Sequence, residues 1–81
     1  MPVVANTLVN LSIFYQENQK DKEKSIVLVT EAIFILLPML EKIPFTQKYF
    51  QSAIAVLKNW EIDPEQYITA LLNEMQKGNE E

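Results

Sequence analysis

The stretch Ser25–Leu40, SIVLVTEAIFILLPML, decides the fold of this chain. Twelve of its sixteen residues are apolar, and a glutamate stands in the middle. At 100° per residue, one side of a helix carries Ile26, Val29, Ile33, Leu36, Leu37 and Leu40. The side around Glu31 carries Val27, Leu28, Phe34 and Ile35. A helix that is apolar nearly all round is buried on all sides, so we predict a helix over 25–43 with two surfaces to cover.

A membrane span is a poor interpretation of this stretch. A span needs about 20 mostly apolar residues, and the segment from Ile26 to Ile43 is broken by charges and a proline, namely Glu31, Pro38, Glu41 and Lys42. Binding flat on a membrane is disfavoured as well, because the segment lacks a lysine-rich polar face and the chain carries a net charge of −4. We therefore expect this helix to be covered by protein.

Two amphipathic helices follow. The first runs from about 46 to 60, with Thr46 as its cap and an apolar row formed by Tyr49, Phe50, Ala53, Val56, Leu57 and Trp60. The second covers 64–77, where Asp63 caps the helix and Pro64 takes the first helical position. Gly78 should end it and leave 78–81 as a frayed tail. Pro38 should bend or end the preceding helix, because it has no N–H for the carbonyl of Phe34.

The N-terminal segment predicts one more helix, over residues 4–17. Its core row is expected to consist of Val4, Leu8, Leu11, Phe14 and Tyr15. Val9 and Ile13 lie roughly opposite that row. No run of residues alternates as a strand does, and no repeat is present. The sequence thus predicts an all-α single domain over residues 1–81, a compact four-helix bundle or three long helices plus one short one.

Composition disfavours several classes of function. Without cysteine and histidine, disulfides are impossible, most zinc sites are excluded and the usual catalytic base is missing. The three serines outside recognisable motifs (Ser12, Ser25 and Ser52) read as helix-surface or cap residues. Eleven acids against seven lysines, with no arginine, argue against nucleic acid. We expect no enzyme and no catalytic, cofactor-binding or metal-binding residue. The first positive charge is Lys20, so no secretory signal is evident and a cytoplasmic protein is expected.

A domain of 81 residues supplies only a small core, so a partner subunit is the remaining source of stability. We expect the second apolar sides of the first two helices to be covered by a second copy, completing the bundle as a homodimer. That interface comprises Val9, Ile13, Val27, Leu28, Glu31, Phe34 and Ile35. Glu31 would lie at its rim and pair with a lysine of the other copy. The other possibility is a monomer with the 25–43 helix hidden inside its own bundle.

The resulting functional hypothesis is a small acidic protein-interaction module, an adaptor, inhibitor or assembly factor, that binds itself and a second protein. The alternative is a lipid-binding or peripheral membrane accessory protein that uses the apolar 26–43 segment. The sequence does not identify the protein partner.

Overall fold

The computed structural model describes the backbone of residues 2–80 and the side-chain burial of residues 3–74 and 76. Its helices are α1 (Pro2–Phe14), α2 (Lys22–Leu36), α3 (Thr46–Asn59) and α4 (Pro64–Glu80). A π-helical turn, Tyr15–Gln19, follows α1, and a 3₁₀ turn, Leu37–Met39, follows α2. Strands are absent from residues 2–80, so the predicted all-α, four-helix arrangement is confirmed.

A pair of serines joins α1 and α2 into an antiparallel hairpin. Ser12 and Ser25 are fully buried, and each hydroxyl donates to the other residue's carbonyl oxygen, at 2.7 Å from Ser12 Oγ and 2.9 Å from Ser25 Oγ. Two helical turns away, Ala5 on α1 and Ala32 on α2 are also fully buried and fall opposite each other. Small side chains at both levels let the two helix axes approach closely.

The core lies where α3 packs across one side of this hairpin. It consists of Val9, Val29, Ala32, Ile33, Ala53, Val56 and Leu57. The last helix, α4, adds Tyr67, Ile68 and Leu71 at its margin, and the Tyr67 hydroxyl hydrogen-bonds the Thr30 hydroxyl at 2.7 Å. Helices α2 and α3 therefore meet the core through the apolar rows that the sequence predicts, and α4 covers its margin.

The predicted bounds of α3, the start of α4 and the break at Pro38 are confirmed, whereas α1 and α2 begin two and three residues before their predicted starts. Asp63 Oδ1 accepts from the backbone N–H of Glu65 at 3.0 Å and of Gln66 at 3.3 Å, as an N-cap does. The α-helical part of α2 ends at Leu36, and Pro38 lies in the 3₁₀ turn that follows. Gly78, however, does not end α4, which continues to Glu80. A glycine stop needs an apolar residue after it to pack back on the helix, and only polar residues follow Gly78.

Thr46 does not cap α3 in the predicted way. It is the first helical residue, and its hydroxyl donates to the Ile43 carbonyl at 2.7 Å instead of accepting from the helix. Phe45 takes the N-cap position without any side-chain hydrogen bond. The buried Thr46 side chain thus fixes the turn before α3, and the first backbone amides of α3 are not capped by it.

The predicted core row of α1 is wrong at three of its five positions, whereas Leu8 packs against the core and Tyr15 is half-buried. Val4, Leu11 and Phe14 are 46%, 43% and 44% exposed. The buried row of this segment consists instead of Ala5, Val9, Ser12 and Gln16. Three of those four side chains are small or polar, so a prediction from the spacing of large apolar residues does not select them. The buried positions of Ser12 and Ser25 likewise contradict their assignment to the surface or to a cap.

Candidate functional site

The first two helices carry most of the large apolar side chains left in contact with solvent. Within the described residues, eight such side chains are exposed, and six belong to α1 and α2. These six are Val3, Val4, Leu11, Phe14, Val27 and Phe34. The other two, Phe45 and Leu72, lie apart in sequence on the second half of the chain. Most of the exposed large apolar side chains of the described residues therefore lie on the α1–α2 hairpin.

Helical spacing places three of these six residues, Val4, Leu11 and Val27, in two neighbouring rows with half-buried and charged side chains. Val3 and Phe14 lie outside these rows, and Phe34 lies at their edge. On α1 and the turn after it the row is Val4, Leu8, Leu11 and Tyr15, and on α2 it is Lys24, Val27, Leu28, Glu31 and Ile35. We call these nine residues the α1–α2 face. The remaining side of the hairpin is occupied by α3, because Gln16 Nε2 donates to the Val56 carbonyl at 2.9 Å.

The two rows meet at the end of the hairpin near the turn. Tyr15, Lys24, Val27 and Leu28, with Glu23, line an open groove of about 250 Å³. The Lys24 ammonium lies 5.5 Å from the centre of the Tyr15 ring, within range of a cation–π interaction. Because Tyr15, in the turn after α1, lines this groove together with residues of α2, the two rows are continuous at this end of the hairpin.

The structure places the α2 residues of the predicted interface on this face or at its edge. Val27 is 53% exposed, and Phe34 is 37% exposed at the edge of the face. Glu31 is exposed, and Leu28 and Ile35 are half-buried. The predicted helix 2 therefore does present a second apolar surface, on the side of Glu31.

The α1 residues of the predicted interface lie elsewhere. Val9 is 2% exposed and belongs to the chain's own core, so its expected outward position is wrong. Ile13 is partly buried against the core and lines a pocket with Ser52 and Val56 of α3. The exposed Val4 and Leu11 lie on the face instead, with the half-buried Leu8 and Tyr15. Leu8, like Ile13, also packs against the core. The small residues Ala5 and Ser12, seven positions apart, are the signal in the sequence that their side of α1 is the buried one.

Behind the face, polar side chains connect three helices. Trp60 Nε1 donates to Ser25 Oγ at 2.9 Å, and Asn59 Nδ2 donates to Gln16 Oε1 at 3.3 Å. Every buried side-chain nitrogen and oxygen of the described residues has a hydrogen-bond partner. A fully satisfied network of this kind fixes the positions of the helices.

Two further features are absent from the described residues. These residues contain no group of three or more histidine, cysteine, aspartate or glutamate side chains placed to hold a metal ion. None of their helices has the length and apolar character needed to cross a bilayer. Among the described residues, the α1–α2 face is the candidate functional site.

Comparison with known proteins adds no relative to this description. No protein-family model, no curated protein and no solved structure matches the chain significantly.

Proposed function

We propose that this chain is a protein-interaction module, without enzymatic activity, that forms a homodimer through the α1–α2 face. The observation that carries the proposal is the α1–α2 face, on which the exposed side chains of Val4, Leu11 and Val27 lie among half-buried apolar neighbours. Contiguous apolar surface on a small protein marks an interaction site. Burying one such side chain contributes about 1.5–3 kcal/mol, so a few of them suffice to hold two copies together.

Size supports the same proposal. Nine apolar residues are fully or nearly fully buried in the described chain, and three of them are alanines. Such a core gives a modest margin of stability for a domain of 81 residues. A second copy on the α1–α2 face would extend the apolar interior by the rows on both helices. A further protein partner would then bind the assembled dimer, as an adaptor, inhibitor or assembly factor does.

The test is the double variant Leu11→Glu/Val27→Glu, examined by sedimentation equilibrium and circular dichroism. Leu11 and Val27 are 43% and 53% exposed, so glutamate is tolerated at both positions in a single folded chain. In a dimer, the new carboxylates would be buried or would face each other. We expect the wild type to dimerise and the variant to dimerise about 100-fold more weakly or worse, with helical signal retained.

The matched control is Phe45→Glu/Leu72→Glu, which introduces the same charge at two exposed apolar side chains outside the face. This control should dimerise like the wild type. A wild type that stays monomeric at high micromolar concentration would contradict the proposal. Wild-type chain that pellets with phosphatidylcholine–phosphatidylglycerol vesicles, and loses that binding in Leu11→Glu/Val27→Glu, would instead support the lipid-binding alternative.

A further inference from the structure

We infer, building on the proposed homodimer, that the second copy packs antiparallel on the α1–α2 face, α1 on α1 and α2 on α2. The two-fold axis crosses the hairpin at the level between Val27 and Leu28. In this arrangement Lys24 of each copy pairs with Glu31 of the other. This arrangement gives the proposed dimer a register and a charge pairing. Two rows of residues support it, one on α2 and one on α1 and the turn after it.

The first row is that of α2, which carries one cation and one anion. Lys24 and Glu31 lie on the same face but seven residues apart, about 10.5 Å along the helix, too far for an ion pair within one chain. The only ion pair among the described residues joins Lys24 Nζ to Asp21 Oδ2, at 4.0 Å with the lysine side chain 66% exposed. Glu31 is exposed and has no cationic partner in the part of the chain that the structure describes.

Reversing the direction of α2 supplies that partner. Lys24 and Glu31 are equally distant from the point between Val27 and Leu28. An antiparallel copy centred there places each lysine against a glutamate, twice by symmetry. The apolar pair Val27 and Leu28 then meets its own copy at the centre. Complementary charges on either side of an apolar centre favour one register and one partner orientation.

The second row, on α1, has the same centre. Its outer residues Val4 and Tyr15, and its inner residues Leu8 and Leu11, are symmetric about the level between Val9 and Asn10. The serine pair Ser12–Ser25 sets the hairpin register, and that register brings this level of α1 beside the Val27–Leu28 level of α2. One axis therefore places Leu8 against Leu11 of the other copy and Val4 against Tyr15.

The other two-fold packing of the same face is less favourable. With the axis parallel to the helices, α2 would lie on α1 of the other copy. Lys24 and Glu31 would then face the row of Val4, Leu8, Leu11 and Tyr15, which offers no charge to either of them. Lys24 would keep only Asp21 of its own chain, and Glu31 would be covered without a cation, which is costly. The axis perpendicular to the helices is therefore the one that the charges favour.

Charge reversal tests the register. Lys24→Glu should weaken dimerisation about tenfold or more, because two like-charged contacts replace two attractive ones, and Glu31→Lys should do the same. Mixing the two variants should restore association, since each carries the charge that the other lacks. We expect a heterodimer at least tenfold tighter than either variant homodimer, measured by sedimentation velocity on a 1:1 mixture.

Lys48→Glu and Glu74→Lys serve as controls of equal charge change at exposed positions outside the face. They should leave the wild-type dimer unchanged, and their mixture should gain nothing. If the wild type dimerises and Leu11→Glu/Val27→Glu abolishes the dimer, but mixing Lys24→Glu with Glu31→Lys restores nothing, the register is wrong and the proposed function stands. A monomeric wild type contradicts both. Circular dichroism of every variant shows whether loss of the dimer follows from unfolding.

Discussion

Glu61 occupies a backbone conformation that suits glycine. Its φ is 64°, and it follows Trp60 at the C-terminal cap of α3. The Glu61 N–H donates to the Lys58 carbonyl at 2.9 Å and the Ile62 N–H to the Leu57 carbonyl at 3.0 Å, the two bonds of a Schellman motif. A left-handed conformation costs a residue with a Cβ about 1–2 kcal/mol, so this turn is held at some expense of stability.

Glu61→Gly should therefore stabilise the chain. The glycine removes the left-handed penalty and costs some entropy in the unfolded chain, so we expect a net gain of about 0.5–1 kcal/mol in the free energy of unfolding. Urea denaturation measures it. Glu61→Ala removes the same carboxylate but keeps a Cβ, and it should show no such gain. Equal stabilisation by both variants would mean that the charge of Glu61, rather than its backbone, is responsible.

The turn between α1 and α2 shows the same feature at Lys20, whose φ is 53°. Asp21 then caps α2, its Oδ1 accepting from the Lys24 N–H at 3.1 Å. Neither left-handed position carries the glycine that would mark it in the sequence. The end of α3 can still be predicted, because Asp63 and Pro64 mark the start of the next helix. The end of α1 is followed by Asp21, which has no proline after it, and the π-helical turn cannot be predicted from this aspartate alone.

Whether the buried row of a helix can be predicted from the sequence depends on which side chains form its contacts. The rows of α2 and α3 were predicted because Val29, Ile33, Val56 and Leu57 are large, apolar and buried. The buried row of α1 was not predicted, because α1 contacts α2 through the small residues Ala5 and Ser12. Apolar spacing then selected the wrong side of α1, the one that faces solvent. As a result, the α2 half of the candidate interface could be predicted from the sequence, but its α1 half could not.

The hydrogen bond between Trp60 and Ser25 should couple α3 to the α1–α2 hairpin energetically. Ser25→Ala leaves the indole N–H without its acceptor and should lower the free energy of unfolding by about 1–3 kcal/mol. Trp60→Phe should be destabilising as well. The double variant should cost at least about 0.5 kcal/mol less than the sum of the two, as contacting residues do in a double-mutant cycle. Guanidinium denaturation followed by circular dichroism gives all four values.

Ser52→Ala is the control for this cycle. The Ser52 hydroxyl donates only to the Lys48 carbonyl of its own helix, at 3.3 Å, so its loss should change stability by no more than about 0.5 kcal/mol. Strict additivity of Ser25→Ala and Trp60→Phe would show that the indole bond does not join the helices.

For the whole molecule, the described residues form a flattened body of 39 × 25 × 18 Å. In the proposed dimer, the stability of each copy depends on association, because a species that binds only the folded state stabilises it by mass action. The thermal midpoint should then rise with protein concentration. Differential scanning calorimetry over a hundredfold concentration range should show this rise for the wild type and a constant midpoint for Leu11→Glu/Val27→Glu. A constant midpoint in both would contradict the coupling of association to stability.

The position of the serine pair has a consequence for the order in which the chain folds. Ser12 and Ser25 are 13 residues apart, whereas Gln16 and its acceptor on α3 are 40 apart. Closing the shorter loop costs about 1 kcal/mol less conformational entropy, and chains rich in local contacts fold fast. We therefore expect the α1–α2 hairpin to act as the nucleus. Both rows of the α1–α2 face belong to that nucleus, so a nascent chain would present the surface of the proposed dimer before α3 and α4 have docked.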